Sequence, residues 1–292
     1  MDMENKIMDL RSLEKGSKFG YMYYISYDGK AFDTFDELKG KRSVKEEFGK
    51  LMNELGFTWA KGIQQAGRTD AKVSASENIL YMSSNYSGDV DKLIEKFNSK
   101  AGKTVKIRIK AYKKTLPNLV FPEMVEERAY CYKYKASKIT RTPEEIEKLC
   151  EELSGTYDVS RFTDYKGKRL KEKVRRVEVS YRDGKLYFRG SSFMPKQVRI
   201  MSAYILTDSM EPLPGKFLTL EEIVLTEEMN NLIIEEAPEV VEENLVRAER
   251  MGDIYIFYVD RKKKGEFIGS RGRNIKKLRK KYGSIVVREI EL

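Results

Sequence analysis

Apolar residues fall two apart from residue 19 onward. Phe19, Tyr21, Tyr23, Ile25 and Tyr27 share one face of an extended segment, which predicts a strand ending at the Asp28-Gly29 turn. The period then lengthens. Ser43 and Glu46 form a capping-box pattern, and Val44, Phe48, Leu51, Met52 and Leu55 line one face of the helix it opens. Gly56 is placed to stop that helix, and Trp59, the only tryptophan, reads as core. A short strand is expected over 78–82. A helix capped by Asp89 follows, with Leu93, Ile94 and Phe97 inward, and then a strand over 103–112. That strand sets Val105, Ile107, Ile109 and Ala111 against Lys106, Arg108 and Lys110.

Two prolines between 116 and 122 mark a connector, and the same alphabet starts again. A strand is expected over 128–136, with Tyr130, Tyr132, Tyr134 and Ala136 on one face. Thr142-Pro143-Glu144-Glu145 combines an N-cap, a proline at the first helical position and a capping box. Strands over 174–181 and 185–189 flank Asp183-Gly184, a hairpin signal. Pro195 opens a helix with Val198, Met201 and Ile205 inward, and Pro212 and Pro214 end it. A strand over 253–261, a helix, a glycine loop, a second helix over 276–282 and a closing strand over 284–290 complete the pattern. Residues 216–250 admit either a strand with a linking helix or part of the last unit.

The predicted fold is α+β: two sheet-plus-helix subdomains with a central cleft, followed by a small α/β unit. The expected divisions are an N-terminal arm (1–17), two catalytic subdomains (18–115 and 116–237) and a C-terminal domain (238–292).

The chemistry is narrowed first by what is missing. The chain has 292 residues and no histidine, which excludes imidazole acid–base chemistry and His-ligated zinc. Cys131 and Cys150 are too few for a metal cage or a disulfide framework. No apolar run approaches the ~20 residues of a membrane span, and the charged N-terminus lacks the apolar core of a signal peptide. A cytoplasmic protein is expected, with no membrane partner.

The net charge of +10 is unevenly spread. Residues 261–281 hold eleven Lys/Arg against Glu266 alone, whereas 221–249 hold ten Glu against Arg247 alone. A basic block this dense points to a polyanion, nucleic acid above all.

Ala66-Gly67-Arg68-Thr69-Asp70 places a glycine, a permanent cation, a hydroxyl and a carboxylate side by side. In an extended segment Arg68 and Asp70 would share a face. Alone, the stretch fits either a surface turn with an ion pair or a held carboxylate able to act as nucleophile or base.

Four stretches in order resemble the tRNA pseudouridine synthase A family: Tyr27-Asp28-Gly29-Lys30-Ala31-Phe32, Ala66-Gly67-Arg68-Thr69-Asp70 continuing through Ala75, Arg128-Ala129-Tyr130-Cys131-Tyr132, and Gly190 through Arg199 with Phe193, Val198 and Arg199 at the family's positions. Leu153-Ser154-Gly155 with Phe162 is a further match. The resemblance spans about residues 19–210. It implies isomerisation of uridine to pseudouridine in RNA, most of all tRNA, with no metal or organic cofactor, and it suggests a homodimer. It implies that Asp70 is the essential carboxylate, that Arg68 helps extrude the nucleotide, that Tyr130 stacks on the flipped base and that Arg199 pairs with Asp70. Lys72 stands where that family has Gly, Ser74 where it has His, and 33–36 lack its Gly-x-Gln.

The last unit resembles a KH domain through Ile268-Gly269-Ser270-Arg271-Gly272-Arg273-Asn274-Ile275. That resemblance implies that Gly269, Ser270, Arg271, Gly272, Arg273, Lys276 and Lys277 clamp about four nucleotides of single strand. The second reading is a catalytically inactive RNA-binding protein on the same platform. A phosphate-transfer enzyme is poorly supported, because no cluster of metal-binding carboxylates stands out.

Overall fold

The structure is a computed structural model that describes residues 19–164 and 172–291. The expected arm, 1–17, lies outside them. The first half comprises β1 (Phe19–Tyr27), α1 (Val44–Glu54), β2 (Ala60–Gln65), β3 (Ser74–Ser84), α2 (Val90–Thr104) and β4 (Ile107–Thr115). The second comprises β5 (Val125–Tyr132), α3 (Pro143–Glu152), β6 (Gly155–Asp158), β7 (Val174–Arg182), β8 (Lys185–Gly190), α4 (Gln197–Thr207) and β9 (Leu218–Leu225). The rest comprises α5 (Glu227–Asn230), β10 (Ile234–Glu236), β11 (Leu245–Met251), β12 (Ile254–Asp260), α6 (Lys264–Ile268), α7 (Arg273–Tyr282) and β13 (Ser284–Ile290).

The caps explain several of these boundaries. Ser43 accepts from Glu46 N–H, Asp89 from Lys92 N–H, and Thr142 and Glu145 close a reciprocal box. Asp183 and Gly184 both take positive φ, the requirement of a two-residue hairpin turn.

The separate sheets expected for the two subdomains are instead one sheet. Its strand order is β13-β12-β11-β10-β4-β1-β3-β9-β5-β8-β7-β6, with β2 attached to β3. Two short joints hold its sections together. The halves meet where β3 runs parallel to β9, through Ser74↔Thr219 and Ala75↔Leu220. The C-terminal strands join where Ile234 of β10 pairs with Lys114 of β4.

Residues paired across a sheet point the same way, so the register fixes the faces. Tyr23 contacts Phe48 of α1, and Phe48 contacts Phe97 of α2. The chain of partners Tyr21↔Lys114↔Ile234↔Met251↔Ile254 carries that face into β12. Ile254, Ile256 and Tyr258 accordingly join the main core with Val286. The alternate residues Phe257 and Val259 join a second core with Phe267 of α6, Leu278 of α7 and Ile285. The helices α6 and α7 therefore lie on the sheet face opposite to α1 and α2.

Several boundaries differ from expectation. The helix α2 continues through Thr104, and Lys106 takes a left-handed φ of 61°, so the strand expected from 103 begins at Ile107. The strand expected over 128–136 runs from Val125 to Tyr132. Lys196 is also left-handed, at φ 61°, which delays α4 from Pro195 to Gln197. The second helix of the last unit starts at Arg273 rather than 276. Trp59 is only partly buried, with its ring edge against Gly49.

Candidate active site

The Ala66–Asp70 stretch is not a strand. It is the loop between β2 and β3, on the face that carries α1 and α2. The anchor is Asn78 of β3, which pairs with Ile25 in a register that puts it on the Tyr23 face. Asn78 is fully buried. Its Oδ1 accepts from Gly67 N–H (3.1 Å) and Ile79 N–H (2.8 Å), and its Nδ2 donates to Gly67 C=O (2.7 Å). One amide thus satisfies both backbone groups of Gly67, a strong requirement inside a core. Arg128 of β5 adds a second tie, donating through Nε to Ala66 C=O (2.8 Å) and through Nη1 to Ser191 C=O. The Tyr27 hydroxyl meets Thr69 Oγ1 at 2.9 Å.

These ties set Asp70 against the second half. Arg199, on the first turn of α4, donates from Nη1 to Asp70 Oδ2 at 3.1 Å and from Nε to Leu213 C=O at 2.6 Å. The Arg199 side chain is 15% exposed and that of Asp70 28%, so the pair is sheltered yet reachable. Tyr130 sits below, paired with Leu220 across the β5–β9 ladder. A Cβ on Gly67 would come within 3.2 Å of the Leu220 side chain, so the motif loop rests on the same patch. The Tyr130 ring is buried and meets Phe193 edge-on at 5.4 Å.

The tyrosines are held neutral. Burial pushes the Tyr27 phenol up to about 12. Burial also pushes Tyr130 up, and the charge of Asp70 adds to the shift. Neither phenol is a base at ordinary pH, and both remain hydrogen-bond donors.

Of the four predicted site residues, Asp70, Arg199 and Tyr130 converge. Arg68 does not share Asp70's face, because the segment is a loop. Its guanidinium reaches Asp36 Oδ2 at 2.7 Å, and its side chain is 71% exposed. Lys72 takes a left-handed φ of 64° and pairs with Asp33 at 3.0 Å. Ser74 accepts from Gly29 N–H at 3.0 Å, tying the first motif to the second. Gly269 and Gly272, at φ 74° and 72°, flank Ser270 and Arg271 in the loop between α6 and α7. Arg273, Lys276 and Lys277 are exposed on α7.

Sequence reasoning missed Asn78 and the stapling role of Arg128. An asparagine just ahead of the apolar run Ile79–Met82, in an inward position, is the signal that could have found the first. A cavity of about 1270 Å³ opens between the N-terminus of α2 and the β11–β13 strands, and one of about 570 Å³ lies on the back of β5, β7 and β8. Neither is lined by Asp70 or Arg199. Among the described residues no cluster of three metal-ligating side chains occurs, and no helix is long and apolar enough to cross a membrane.

The Arg199–Asp70 pair, partly exposed, thus lies over a buried aromatic patch at the joint between the two halves of one sheet. No protein-family model matches the chain. It is similar to proteins named tRNA pseudouridine synthase A. That of Streptococcus suis is 29% identical over 210 residues, which is 64% of this chain and 82% of the relative. That of Lactococcus lactis subsp. cremoris is 25% identical over 66% of this chain and 84% of the relative. That of Streptococcus pneumoniae is 27% identical over 68% of this chain and 88% of the relative. Among solved structures, a dye-decolorizing protein from V. cholerae aligns at a TM-score of 0.17 and 12% identity over 73% of this chain and 95% of that one, which carries no argument.

Proposed function

We propose that the chain is an RNA pseudouridine synthase, acting on tRNA, with Asp70 as the essential carboxylate. The observation that carries this reading is the Arg199–Asp70 pair above Tyr130, at the joint of the two halves. The named relatives, similar across two-thirds of the chain, support it.

The proposed reaction is an isomerisation, so its atoms balance within one nucleotide. The N1–C1′ bond of uridine breaks, the uracil rotates, and a C5–C1′ bond forms. The proton on C5 leaves, and N1 ends protonated. Asp70 attacks or deprotonates the nucleotide to start this exchange. Arg199 gives the carboxylate a fixed counter-charge and, through Leu213 C=O, a fixed direction. A base in a stem must first leave its stack, at a cost of a few kcal/mol. Contact with an aromatic ring returns ~1–3 kcal/mol, which is the role of Tyr130. Arg68, exposed at the rim, takes part in extrusion once it parts from Asp36. The unit from 238 onward, with its glycine loop, acts as a KH-like RNA grip.

The test is pseudouridine mapping of cellular RNA with and without the protein, repeated with Asp70→Ala. Loss of specific pseudouridines in both cases supports the reading. No pseudouridine dependent on the wild-type protein sinks the enzyme, and an active Asp70→Ala protein sinks the site.

A further inference from the structure

We propose that the cavity of about 1270 Å³ beside the β4–β10 joint binds a guanine nucleotide, with the phosphate toward Lys114, Arg247 and Arg288 and the base toward an acidic wall. This goes beyond the reaction proposed above and does not depend on it.

The phosphate end rests on a surplus of positive charge. Lys114 of β4, Arg247 of β11 and Arg288 of β13 gather where the structure offers one buried carboxylate, that of Glu249. Glu249 is 2% exposed and already committed: it pairs with Lys114 and accepts from the Tyr258 hydroxyl at 2.6 Å. Arg247 stands 3.8 Å from that carboxylate, and its guanidinium lies 4.3 Å from the centre of the Tyr258 ring. Lys114 and Arg288 sit over the Phe19 ring, 5.0 Å and 4.5 Å from its centre. Arg288 is 5% exposed, makes no ion pair among the described residues, and its Nη2 has no hydrogen-bond partner. The acids next to it in sequence are closed on other bases, Glu289 on Lys264 and Glu291 on Arg261. Three cations against one carboxylate leave unpaired positive charge, which is costly to bury unless an anion meets it.

The base end has the opposite character. Tyr112 lies two residues before Lys114 on β4, on the same face and ~7 Å along the strand. Its phenol is pushed up first by burial and then by the charges of Asp91 and Glu236, so both carboxylates stand near it. Tyr86, just ahead of α2, lines the same cavity. Asp89 is used as the cap of α2, but Asp91 and Glu236 make no ion pair among the described residues. This wall repels a bare phosphate. A nucleotide satisfies both ends, with phosphate on the cations, ring against tyrosine, and base N–H groups on a carboxylate. Guanine presents N1–H and an amino group side by side, the pair of donors a carboxylate accepts, whereas uracil presents one N–H. A free nucleotide and a guanine in single-stranded RNA share this chemistry.

The experiment is calorimetry on the full chain with guanosine 5′-monophosphate, uridine 5′-monophosphate and inorganic phosphate. The guanine nucleotide should bind saturably, about tenfold tighter than either of the others. At about 100 times its Kd it should raise the unfolding midpoint by roughly 5–10 °C. Arg288→Met leaves the Glu249–Lys114 pair in place and should weaken the guanine nucleotide by about 10–100-fold. Glu236→Gln changes an exposed end. It should weaken the guanine nucleotide about tenfold yet leave inorganic phosphate bound as tightly or more so, a split that a purely structural residue does not produce. If circular dichroism shows Arg288→Met unfolded, Glu236→Gln carries the test.

Competition with a short guanine-containing single-stranded RNA identifies the source. Displacement of the bound nucleotide assigns the site to RNA, and retention assigns it to the free nucleotide. No saturable binding, equal affinity for the two nucleotides, phosphate bound as tightly as the guanine nucleotide, or an unchanged guanine-nucleotide affinity in either folded variant overturns the proposal.

Discussion

Replacing Asn78 by alanine should cost both stability and catalysis, and the two losses can be separated. The amide of Asn78 serves three backbone groups: Gly67 N–H, Gly67 C=O and Ile79 N–H. Asn78→Ala leaves them unpaired in a core with no exposed surface at that point. An unsatisfied buried polar group costs ~1–3 kcal/mol, so three of them cost about 3–5 kcal/mol after water enters the gap. At ~2–4 °C per kcal/mol, the midpoint of thermal unfolding should fall by about 10 °C. The catalytic loss has another origin. Gly67 lies three residues before Asp70, and Asn78 is what pins it to β3. A carboxylate displaced by about 1 Å loses ~100-fold in rate. The matched control is Asn98, which clamps the backbone of Ile109 in the same manner (2.8 and 2.9 Å) on the far side of β1. Both variants are assayed for single-turnover pseudouridine formation at a temperature where circular dichroism shows them folded. Asn78→Ala should be slow, and Asn98→Ala should match wild type. Equal rates in the two variants would falsify the positioning role, whatever their stabilities.

Other outcomes follow from the same geometry. Arg199→Met removes a charge-assisted hydrogen bond worth ~1.5–3 kcal/mol and should slow single-turnover conversion by roughly 10–150-fold. Arg199→Lys should recover only part of this, since one ammonium cannot span Asp70 and Leu213; a Met variant within twofold of wild type contradicts the role. Tyr27 titrates at about 12 in the fold and near 10 when unfolded. The unfolded chain therefore releases this proton first, and stability present below pH ~10 should be lost as pH rises toward ~12. Urea titrations of wild type and Tyr27→Phe should show a smaller alkaline loss in the variant. Lys72→Gly removes a left-handed side chain, a gain of ~1 kcal/mol, and an exposed ion pair worth ~0–1 kcal/mol. The unfolding midpoint should hold or rise slightly; a fall of several degrees would show that the Lys72–Asp33 pair matters more than its exposure implies.

Local signals carried most of the elements. The Thr142–Glu145 box, the Asp89 cap and the Asp183-Gly184 turn each act within a few residues, so the sequence shows them directly. The strand β9, in the middle of the sheet, is not marked by the sequence, because its alternation breaks. Leu218 and Leu220 point in, then Glu221 and Glu222 both point out, then Ile223 and Leu225 point in. The ladder shows the reason. Ala129 pairs with Glu222 and Tyr130 with Leu220, so Glu221 is the extra residue of a bulge. The same two glutamates had read as part of an acidic stretch. Joining the halves into one sheet was equally hidden, since a parallel joint of two residue pairs leaves no periodic trace. The Asp70–Arg199 partnership spans 129 positions and came only through motif resemblance. Arg68 and Asp70 would share a face only in an extended segment; the stretch is a loop, and Arg68 reaches Asp36, a partner 32 positions away that no local pattern marks.

The departures from the family motifs turn out to meet in space. Residues 33–36 differ from the usual first motif, and Lys72 from the usual second. Asp33 is the partner of Lys72, and Asp36 is the partner of both Arg68 and Lys45. A glycine at 72 would adopt φ 64° without strain and would leave the loop free there. A lysine pays ~1 kcal/mol in backbone conformation and reaches across to Asp33 instead. Two ion pairs thus tie the first motif's loop to both sides of Asp70, at residues 68 and 72, while Ser74 ties it again through Gly29 N–H. Each exposed pair is weak alone. Together they hold the rim around Asp70 by charge at residues 68 and 72. Neither ion pair touches the Arg199–Asp70 pair, so under the function proposed above these positions would change what an incoming nucleotide meets first rather than the bond that is broken.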